Sequence, residues 1–402
     1  MDAKSQANGK SPKSVAFLLQ RMGAYHDARL RALAADPAYS VSAIEFRAAD
    51  RVYAWDRVDV DGGYARLRTS NSGDLGRALD QVHPDIVVCA GYADPEIHTS
   101  ASWALGHGVP LVTCSDSTYE DEPRAWVKEA LKKMAVSAFD SALVSGCRAH
   151  DYMGTLGLGR DRRFEPWDVV DNAHFERGAD AARRSPGEAR ATLGLPENYF
   201  VCVARFVAKK NLVGLIDAYG RYVAGRGESA WSLVLSGAGP LEADLRALVA
   251  AAGLGSRVVF PGFLQYGDLP ACYGLAGAFV LPSGSDQWGL VVNEAMAAGI
   301  PVLVSSRCGC TPELVRPGEN GFTFEPGDPV VLAGLLQRVA GMQPEERAAM
   351  GSLSRKVVAA FSPEAFACGL KAAIGCALGR RIRRGRHFTR AVLAALAARP
   401  VR

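Results

Sequence analysis

Residues 281–306 read LPSGSDQWGLVVNEAMAAGIPVLVSS, and this stretch decides the fold class. An apolar strand ends at Pro282 and Ser283, a loop containing glycine leads into a helix that begins near Gly289, and a second strand, PVLVSS (301–306), follows at once. Two such strands joined by a helix form a βαβ unit, in which the strands are parallel. The stretch therefore predicts a parallel sheet covered by helices.

The same alternation of short apolar strands and helical periods extends in both directions along the chain. The N-terminal half contains five further strands: VAFLLQ (15–20), VSAIEF (41–46), DIVVCAG (85–91), PLVTCSD (110–116) and SALVSG (141–146). The C-terminal half contains six in all, namely YFVCVARF (199–206), SLVLSGAG (232–239), RVVFPG (257–262), GAFVLPS (277–283), PVLVSS (301–306) and GFTFEP (321–326). This pattern predicts two doubly wound, Rossmann-like α/β domains with ligands in the cleft between them.

The boundary between the two series falls near residue 172. A polar stretch, HFERGADAARRSPGEAR (174–190), follows it and has the charge and turn residues of a linker. We therefore expect a flexible N-terminus at 1–14, one domain at 15–172, a second at 173–360, and C-terminal helices at 361–402.

Composition narrows the class of protein. The chain has 402 residues, enough for two domains, and a formal net charge of +4 is too small to imply binding of nucleic acid. Its nine cysteines are odd in number and several lie in apolar strands, which suits a reducing compartment. Cys308 and Cys310 share a loop, but a zinc site needs about four ligands and no second pair is evident. We expect no metal and a cytoplasmic protein.

VARFVAKKN (203–211) has the pattern of an anion site. Arg205 ends a strand, and Lys210 precedes the next helix after a short loop. The carboxyl end of a strand followed by a helix N-terminus already favours negative charge, so two cations there suit a diphosphate. The alternative is that Lys209 and Lys210 are ordinary solvated surface charges.

SGAGP (236–240) follows an apolar strand and precedes a helical period. Gly237 and Gly239 could let the backbone approach a ligand closely. A tight turn from strand to helix explains the same residues without any ligand.

Two carboxylates, Asp286 and Glu294, stand eight positions apart around the predicted helix start. Both can face one cleft, where a carboxylate can accept hydrogen bonds from the vicinal hydroxyls of a ribose. The amide groups of Gly289, Leu290 and Val291 can hold phosphate oxygens. The alternative is a helix-capping aspartate with a solvent-facing glutamate.

The region 199–340 as a whole resembles the donor domain of the retaining glycosyltransferases of family 4, which have the two-domain GT-B fold. The resemblance is carried, in order, by RFVAKKN, SGAGPLE, VVFPGFL, YGLAGAFVLPS, WGLVVNEAMAAGIPVLVS and ENGFTFEPGD. It implies an N-terminal acceptor domain, a C-terminal nucleotide-sugar donor domain, and C-terminal helices that cross back.

The resemblance also implies roles for single residues. Arg205 and Lys210 would contact the donor diphosphate, and Glu294 the nucleotide ribose. Asp286 would contact the transferred sugar, although it is one methylene shorter than the glutamate common in the family. Gly262 and Phe263 resemble the base-binding loop.

In the N-terminal half the resemblance is looser. Gly23 follows the first strand, where relatives have a glycine near the donor phosphate and the acceptor, and His26 comes next at a helix start, where it could equally be a plain helix-end residue. Asp116 stands where many relatives have a histidine, on the acceptor side. The segment PWDVVDNAHF (166–175) resembles the family's crossing into the second domain, with Asp171 and Asn172 as a turn.

Asp59 and Asp61 form a DxD sequence, the metal-binding motif of the other glycosyltransferase class. They lie in WDRVDVDGGY without a strong preceding strand, so we interpret them as part of a turn.

The function implied is retaining, metal-independent transfer of a hexose-type sugar from a UDP- or GDP-sugar to the hydroxyl of a glycan, glycolipid or small molecule. No further cofactor is expected. Two alternatives stay open: a catalytically silent nucleotide-sugar binder of an assembly complex, or another GT-B enzyme such as a phosphorylase or an epimerase.

Six arginines fall between residues 380 and 390, just before an apolar stripe, AVLAALAA (391–398). This segment could bind anionic lipid and place the protein at the inner membrane face. It could equally be a solvated, charged helix that packs back on the first domain.

Overall fold

The computed structural model describes residues 11–47, 62–69, 72–122, 124–380 and 387–397. Asp59 and Asp61 lie outside the described residues, as do most of the expected flexible N-terminus and residues 381–386 of the arginine-rich segment. The described chain forms two parallel sheets, one of seven strands and one of six, each covered by helices. The predicted α/β class is confirmed.

The N-terminal sheet has the strand order β3-β2-β1-β4-β5-β6-β7. Its strands are β1 (Lys13–Leu19), β2 (Tyr39–Glu45), β3 (Ala65–Arg68), β4 (Ile86–Ala90), β5 (Leu111–Ser115), β6 (Ser141–Val144) and β7 (Arg163–Phe164). The helices between them are α1 (Ala24–Ala34), α2 (Ser72–Val82), α3 (Pro95–His107), α4 (Trp126–Val136) and α5 (Cys147–Thr155). The last five residues of β1 are all buried, because helices cover both faces of the sheet.

The C-terminal sheet has the order β10-β9-β8-β11-β12-β13. Its strands are β8 (Tyr199–Val203), β9 (Ser232–Ser236), β10 (Val258–Gly262), β11 (Ala278–Leu281), β12 (Val302–Ser305) and β13 (Gly321–Phe324). The helices from the domain crossing onwards are α6 (Asn172–Arg184), α7 (Pro186–Leu193), α8 (Leu212–Arg226), α9 (Glu242–Ala251), α10 (Leu269–Gly274), α11 (Leu290–Ala297), α12 (Thr311–Leu314), α13 (Pro329–Gly341), α14 (Pro344–Val358), α15 (Pro363–Gly379) and α16 (His387–Ala397).

Three details differ from the sequence-based expectation. The polar stretch 174–190 is not an open linker, because α6 and α7 occupy it. Phe175, Ala179 and Ala182 recur at helical spacing in α6 and are buried, so a polar helix is anchored by one apolar stripe. The short strands β3 and β7 were not predicted, because they have only four and two residues, half of them arginine.

The C-terminal helices cross back to the first domain, as the resemblance implied. Phe366 and Leu370 of α15 are buried in a core shared with Phe17 of β1. Leu393 of α16 is 1% exposed and belongs to the second core of the N-terminal domain. The chain therefore finishes on the domain in which it began.

The segment Pro344–Gly379 is long and apolar enough, by length and composition, to cross a membrane. In the structure it is not continuous, because a turn at 359–362 separates α14 from α15. Half of its most apolar window is buried inside the protein. This fold uses the segment as two packed core helices.

The sheet topology fixes where the functional loops meet. In the first sheet β1 pairs with both β2 and β4, and in the second β8 pairs with both β9 and β11, so the chain reverses direction across each sheet at β1 and β8. At such a point, the loops from two adjacent strands run to opposite faces of the sheet and a crevice opens between them. The loops after β1 and β8 lie at these two points.

Candidate functional site

A cleft of about 1160 Å³ lies between the two domains. The N-terminal domain lines it with the loops after β1, β4 and β5, and the C-terminal domain lines it with the loops after β8 and β11. The cleft has room for a ligand larger than most single small molecules require.

The predicted cations reach this cleft from the loop after β8. Arg205 and Lys210 both line it, and so does Lys209. A short 3-10 turn at Ala208–Lys210 ends at Asn211, whose φ of 50° lets the chain reverse into α8. The turn holds Lys210 beside the strand end, where its ammonium donates a hydrogen bond to the Asp286 carboxylate.

The N-terminus of α11 also lines the cleft. Asp286 lies in the loop before the helix and Gly289 is its N-cap, with a φ of 103° that favours glycine. Gly289, Leu290 and Val291 all line the cleft. The first amide groups of a helix have no partner in the helix itself, so this end of α11 can bind an anion.

Glu294 does not line the cleft with Asp286. Its side chain is fully buried in α11, where Oε1 accepts a hydrogen bond from the Tyr25 hydroxyl and Oε2 accepts one of 2.6 Å from Tyr273. Burial raises the pKa of Glu294 to about 7, against the opposing effect of the two tyrosine hydroxyls. Glu294, which was predicted to bind the ribose, is therefore held by a hydrogen bond from Tyr25 of the N-terminal domain.

The glycines of SGAGP do not line the cleft. Gly237 and Gly239 have φ angles of 144° and 157°. A Cβ atom at Gly237 would lie 1.9 Å from the carbonyl oxygen of Ala204, and one at Gly239 would lie 2.6 Å from that of Phe206. These glycines are explained by close packing against the loop that carries Arg205, and their contact with a donor stays a prediction.

Gly262 and Phe263 lie at the end of β10, beside the SGAGP turn. The carbonyl oxygen of Gly262 accepts hydrogen bonds from the amide of Gly237, at 2.9 Å, and from the Ser236 hydroxyl, at 3.1 Å. Neither residue belongs to the lining of the cleft, so their role in base binding stays a prediction.

On the N-terminal side, Gly23 is the N-cap of α1, and Gly23, His26 and Asp116 all line the cleft. Burial, followed by the charge of Arg29, lowers the pKa of His26 to about 3, so its imidazole is neutral at pH 7. Burial, followed by the negative charge of Asp168, raises the pKa of Asp116 to about 7. His26 and Asp116 can therefore exchange hydrogen bonds with hydroxyl groups without carrying a full charge.

An ion pair that the sequence analysis missed supports this side of the cleft. Arg29 of α1 contacts Asp168 at 3.3 Å, and their side chains are only 3% and 6% exposed. The guanidinium lies 4.2 Å from the ring centroid of Trp167, and Ser145 donates a 2.6 Å hydrogen bond to Asp168. The partners are 139 positions apart, so no local pattern connects them.

A second missed contact bridges the domains at the mouth of the cleft. Gln287 donates a 3.2 Å hydrogen bond to Asp121, which also pairs with Arg124. Gln287 is adjacent to Asp286 in the sequence, which is the one signal that could have drawn attention to it.

Within the described residues, no group of three or more histidine, cysteine, aspartate or glutamate side chains is arranged to hold a metal ion. Cys308 and Cys310 are buried, and burial raises the pKa of both thiols. Both are small side chains of the protein core.

Comparison with known proteins agrees with this geometry. Residues 188–357 match the family described as Glycosyl transferases group 1. Among curated proteins, the chain is 42% identical over 95 residues to sulfoquinovosyl transferase of Arabidopsis thaliana, covering 23% of this chain and 18% of that one. It is 29% identical over 230 residues to alpha-D-kanosaminyltransferase of Streptomyces kanamyceticus, covering 57% and 58%.

Among solved structures, HepE of Anabaena in complex with UDP and glucose superposes with a TM-score of 0.69 at 17% identity, over 90% of this chain and 99% of that one. At this identity the likeness shows the fold. The chain is thus a two-domain protein of the GT-B fold.

The match to the glycosyl transferases group 1 falls within the C-terminal domain, at residues 188–357. The chain spans about half the length of most of the curated relatives it matches.

Proposed function

We propose that the protein is a retaining, metal-independent glycosyltransferase of family 4 that moves a hexose-type sugar from a nucleoside-diphosphate sugar to an acceptor hydroxyl. The observation that carries the proposal is the convergence of Arg205, Lys210 and the N-terminus of α11 in one cleft between two Rossmann-like domains. Two cations and the positive end of a helix on the same side of the cleft fit a diphosphate.

The chemistry follows from where charge develops. When the bond between the sugar and the diphosphate breaks, its electron pair leaves with the diphosphate, and the ring carbon becomes positive. Arg205 and Lys210 would stabilise the departing oxygens. A diphosphate oxygen on the same face would take the proton of the acceptor hydroxyl as the new sugar–oxygen bond forms, which retains the anomeric configuration.

The two domains would divide the substrates between them. Asp286 would accept hydrogen bonds from the transferred sugar, and Glu294 from the ribose of the nucleotide. The neutral His26 and Asp116, whose pKa burial raises to about 7, would contact the acceptor hydroxyls. UDP- and GDP-sugars are both candidates, and the UDP and glucose held by HepE of Anabaena favour testing UDP-glucose first.

A panel of nucleotide sugars in a thermal-shift assay tests the donor. A donor at a hundred times its dissociation constant adds about 2.7 kcal/mol of stability, which raises Tm by several degrees. Release of nucleoside diphosphate only when an acceptor is present then separates transfer from phosphorolysis and epimerisation. Donor binding without transfer to any acceptor would instead indicate a silent binder, and no stabilisation by any UDP- or GDP-sugar would contradict the proposal.

The acceptor class includes glycans, glycolipids and small molecules. The arginine-rich segment 380–390 would hold the protein at an anionic membrane face if the acceptor is a lipid. Most of this segment lies outside the described residues, and α16, which follows it, packs on α3 of the N-terminal domain. Arg390, at the end of the segment, therefore belongs to a helix that packs on the proposed acceptor domain.

A further inference from the structure

Tyr25 belongs to the N-terminal domain but packs into the core of the C-terminal one. It is the second residue of α1, directly after the loop that lines the cleft with Gly23. Its ring makes an edge contact with Tyr266, at 6.1 Å between centroids, and it packs against the apolar core around α11. Tyr25 is thus a side chain of one domain inserted into the other.

The surroundings of Tyr25 in the C-terminal domain are closely packed. The Tyr266 ring stacks on His174, with 4.1 Å between centroids and 7° between planes. His174 Nε2 lies 3.0 Å from the carbonyl oxygen of Tyr266. Because Tyr266 is fixed on its far side, Tyr25 fills a defined slot between Tyr266 and Glu294.

The two oxygens of Glu294 have partners of different origin. Tyr273, a fully buried residue of α10 in the same domain, donates to Oε2 at 2.6 Å. The Tyr25 hydroxyl, 269 positions away along the chain, donates to Oε1. Oε2 is therefore bonded within the C-terminal domain, and Oε1 is bonded across the interface between the two domains.

A phenol hydroxyl and a ribose hydroxyl make the same kind of hydrogen bond to a carboxylate. Each donates one O–H to an oxygen. Glu294 is fully buried, so a second donor has no open path to either oxygen in this arrangement. A ribose can reach Glu294 only after Tyr25 has left, because Glu294 has no exposed surface while Tyr25 is in place.

We propose that Tyr25 is a gate over the donor site, whose hydroxyl occupies on Glu294 the position of a ribose hydroxyl and must be displaced when a nucleotide binds. This inference rests on the proposed function, because it takes Glu294 as the ribose ligand. Displacement of Tyr25 also removes a contact between the domains, so nucleotide binding is coupled to a change at the interface between them. Tyr25 acts through Glu294 and is a positioning residue.

The gate is tested by calorimetric binding of UDP and of GDP to the full chain and to its Tyr25→Phe variant. Phenylalanine keeps the ring packing and removes only the competing hydroxyl, so the nucleotide that binds should bind about tenfold more tightly. The 2′,3′-dideoxy form of that nucleotide lacks the ribose hydroxyls and should gain little or nothing. An equal gain with both forms, or weaker binding of the ribonucleotide, would overturn the gate.

Tyr273→Phe is the matched control, because it removes the other hydroxyl that bonds the same carboxylate and leaves the contact between the domains in place. It should leave nucleotide binding unchanged or weaker, the opposite direction from Tyr25→Phe. Tyr25→Leu, which removes both ring and hydroxyl, serves if the phenylalanine variant does not fold, and it should also tighten binding. Equal affinity of the wild type and the Tyr25 variants would overturn the gate alone, whereas no binding of UDP or GDP to any of them would overturn the proposed function as well.

Discussion

Lys210 and Asp286, 76 positions apart, form an ion pair across the donor side of the cleft. Their side chains are only 11% and 12% exposed. The cation expected to hold the diphosphate is thus paired with the carboxylate expected to hold the sugar. Asp286 keeps the lysine side chain ordered at the end of β8, so the cation is already in place when the donor arrives.

Removal of either cation should disable the reaction. A hydrogen bond between charged groups contributes roughly 1.5–3 kcal/mol, so Arg205→Ala or Lys210→Ala should slow turnover by about tenfold to a few hundredfold. Measurement of kcat and KM in a transfer assay checks this. Arg221→Ala is the control, because Arg221 is half exposed and pairs with Asp217 on the outer face of α8, and it should change nothing. Near-normal activity in both cation variants would refute the diphosphate assignment.

Binding of the donor should depend on pH through Glu294. Because burial raises the pKa of this carboxyl to about 7, most of the side chain is protonated at pH 6 and must lose its proton to bind a ribose hydroxyl as a carboxylate. We expect the affinity for a nucleotide sugar to rise about tenfold from pH 6 to pH 8. Glu294→Gln should bind more weakly at every pH and show a flatter profile, and calorimetry across this range would measure both.

The same carboxyl makes stability depend on pH in the opposite direction. An acid whose pKa is raised on folding stabilises the native state below its ordinary pKa of 4.5 and loses that contribution as the pH rises through about 7. Glu294→Gln should remove this component, so the difference in Tm between pH 5 and pH 8 should be smaller than in the wild type. An identical difference would show that Glu294 does not titrate in this range.

Gly237 and Gly239 should matter for folding. At both positions a Cβ atom would collide with backbone atoms, and the φ angle is unfavourable for any other residue. Alanine at either position should destabilise the protein by at least about 2 kcal/mol. Gly341→Ala is the control, because nothing lies within 4 Å of an added Cβ there. If the alanine variants fold normally but fail to bind the donor, a ligand contact explains these glycines better than packing does.

The buried Arg29–Asp168 pair should be costly to break. Arg29→Met leaves the Asp168 carboxylate buried without its cation, and loss of one partner of such a pair costs about 3–5 kcal/mol. Arg77→Met on α2 is the control: Arg77 is 78% exposed, and its pair with the partly exposed Asp74 should contribute less than about 1 kcal/mol. Urea unfolding of the two variants gives the comparison, and equal midpoints would contradict it.

The arginine-rich segment should be tested without deleting α16, since Leu393 belongs to the N-terminal core. Glutamine at positions 381, 383, 384 and 386 removes four positive charges. If the segment binds membranes, this variant should lose co-sedimentation with anionic vesicles, because each basic residue near such a surface contributes about 1 kcal/mol. Equal sedimentation of the variant and the wild type, or equal binding to neutral vesicles, would remove the membrane hypothesis.

The strands were predictable because both faces of a parallel sheet are buried. All six strands of the second domain were found within a few residues of their observed bounds, since each is a short, largely apolar run that alternates with helical periods. The start of α11 at Leu290, after Gly289, also followed from the local pattern. The two missed strands lie at the edges of the first sheet, where little of the strand is buried.

The positions of Arg205, Lys210 and Asp286 at the cleft follow from the chain alone, because each lies in the loop that follows a buried strand, and the ends of parallel strands share one edge of the sheet. The pairing of charges did not follow. Lys210 meets Asp286, Arg29 meets Asp168, and Tyr25 covers Glu294 over separations of 76, 139 and 269 positions. Local sequence sets which residues end a strand, whereas contacts between distant side chains depend on how two domains pack, and only the tertiary structure decides that.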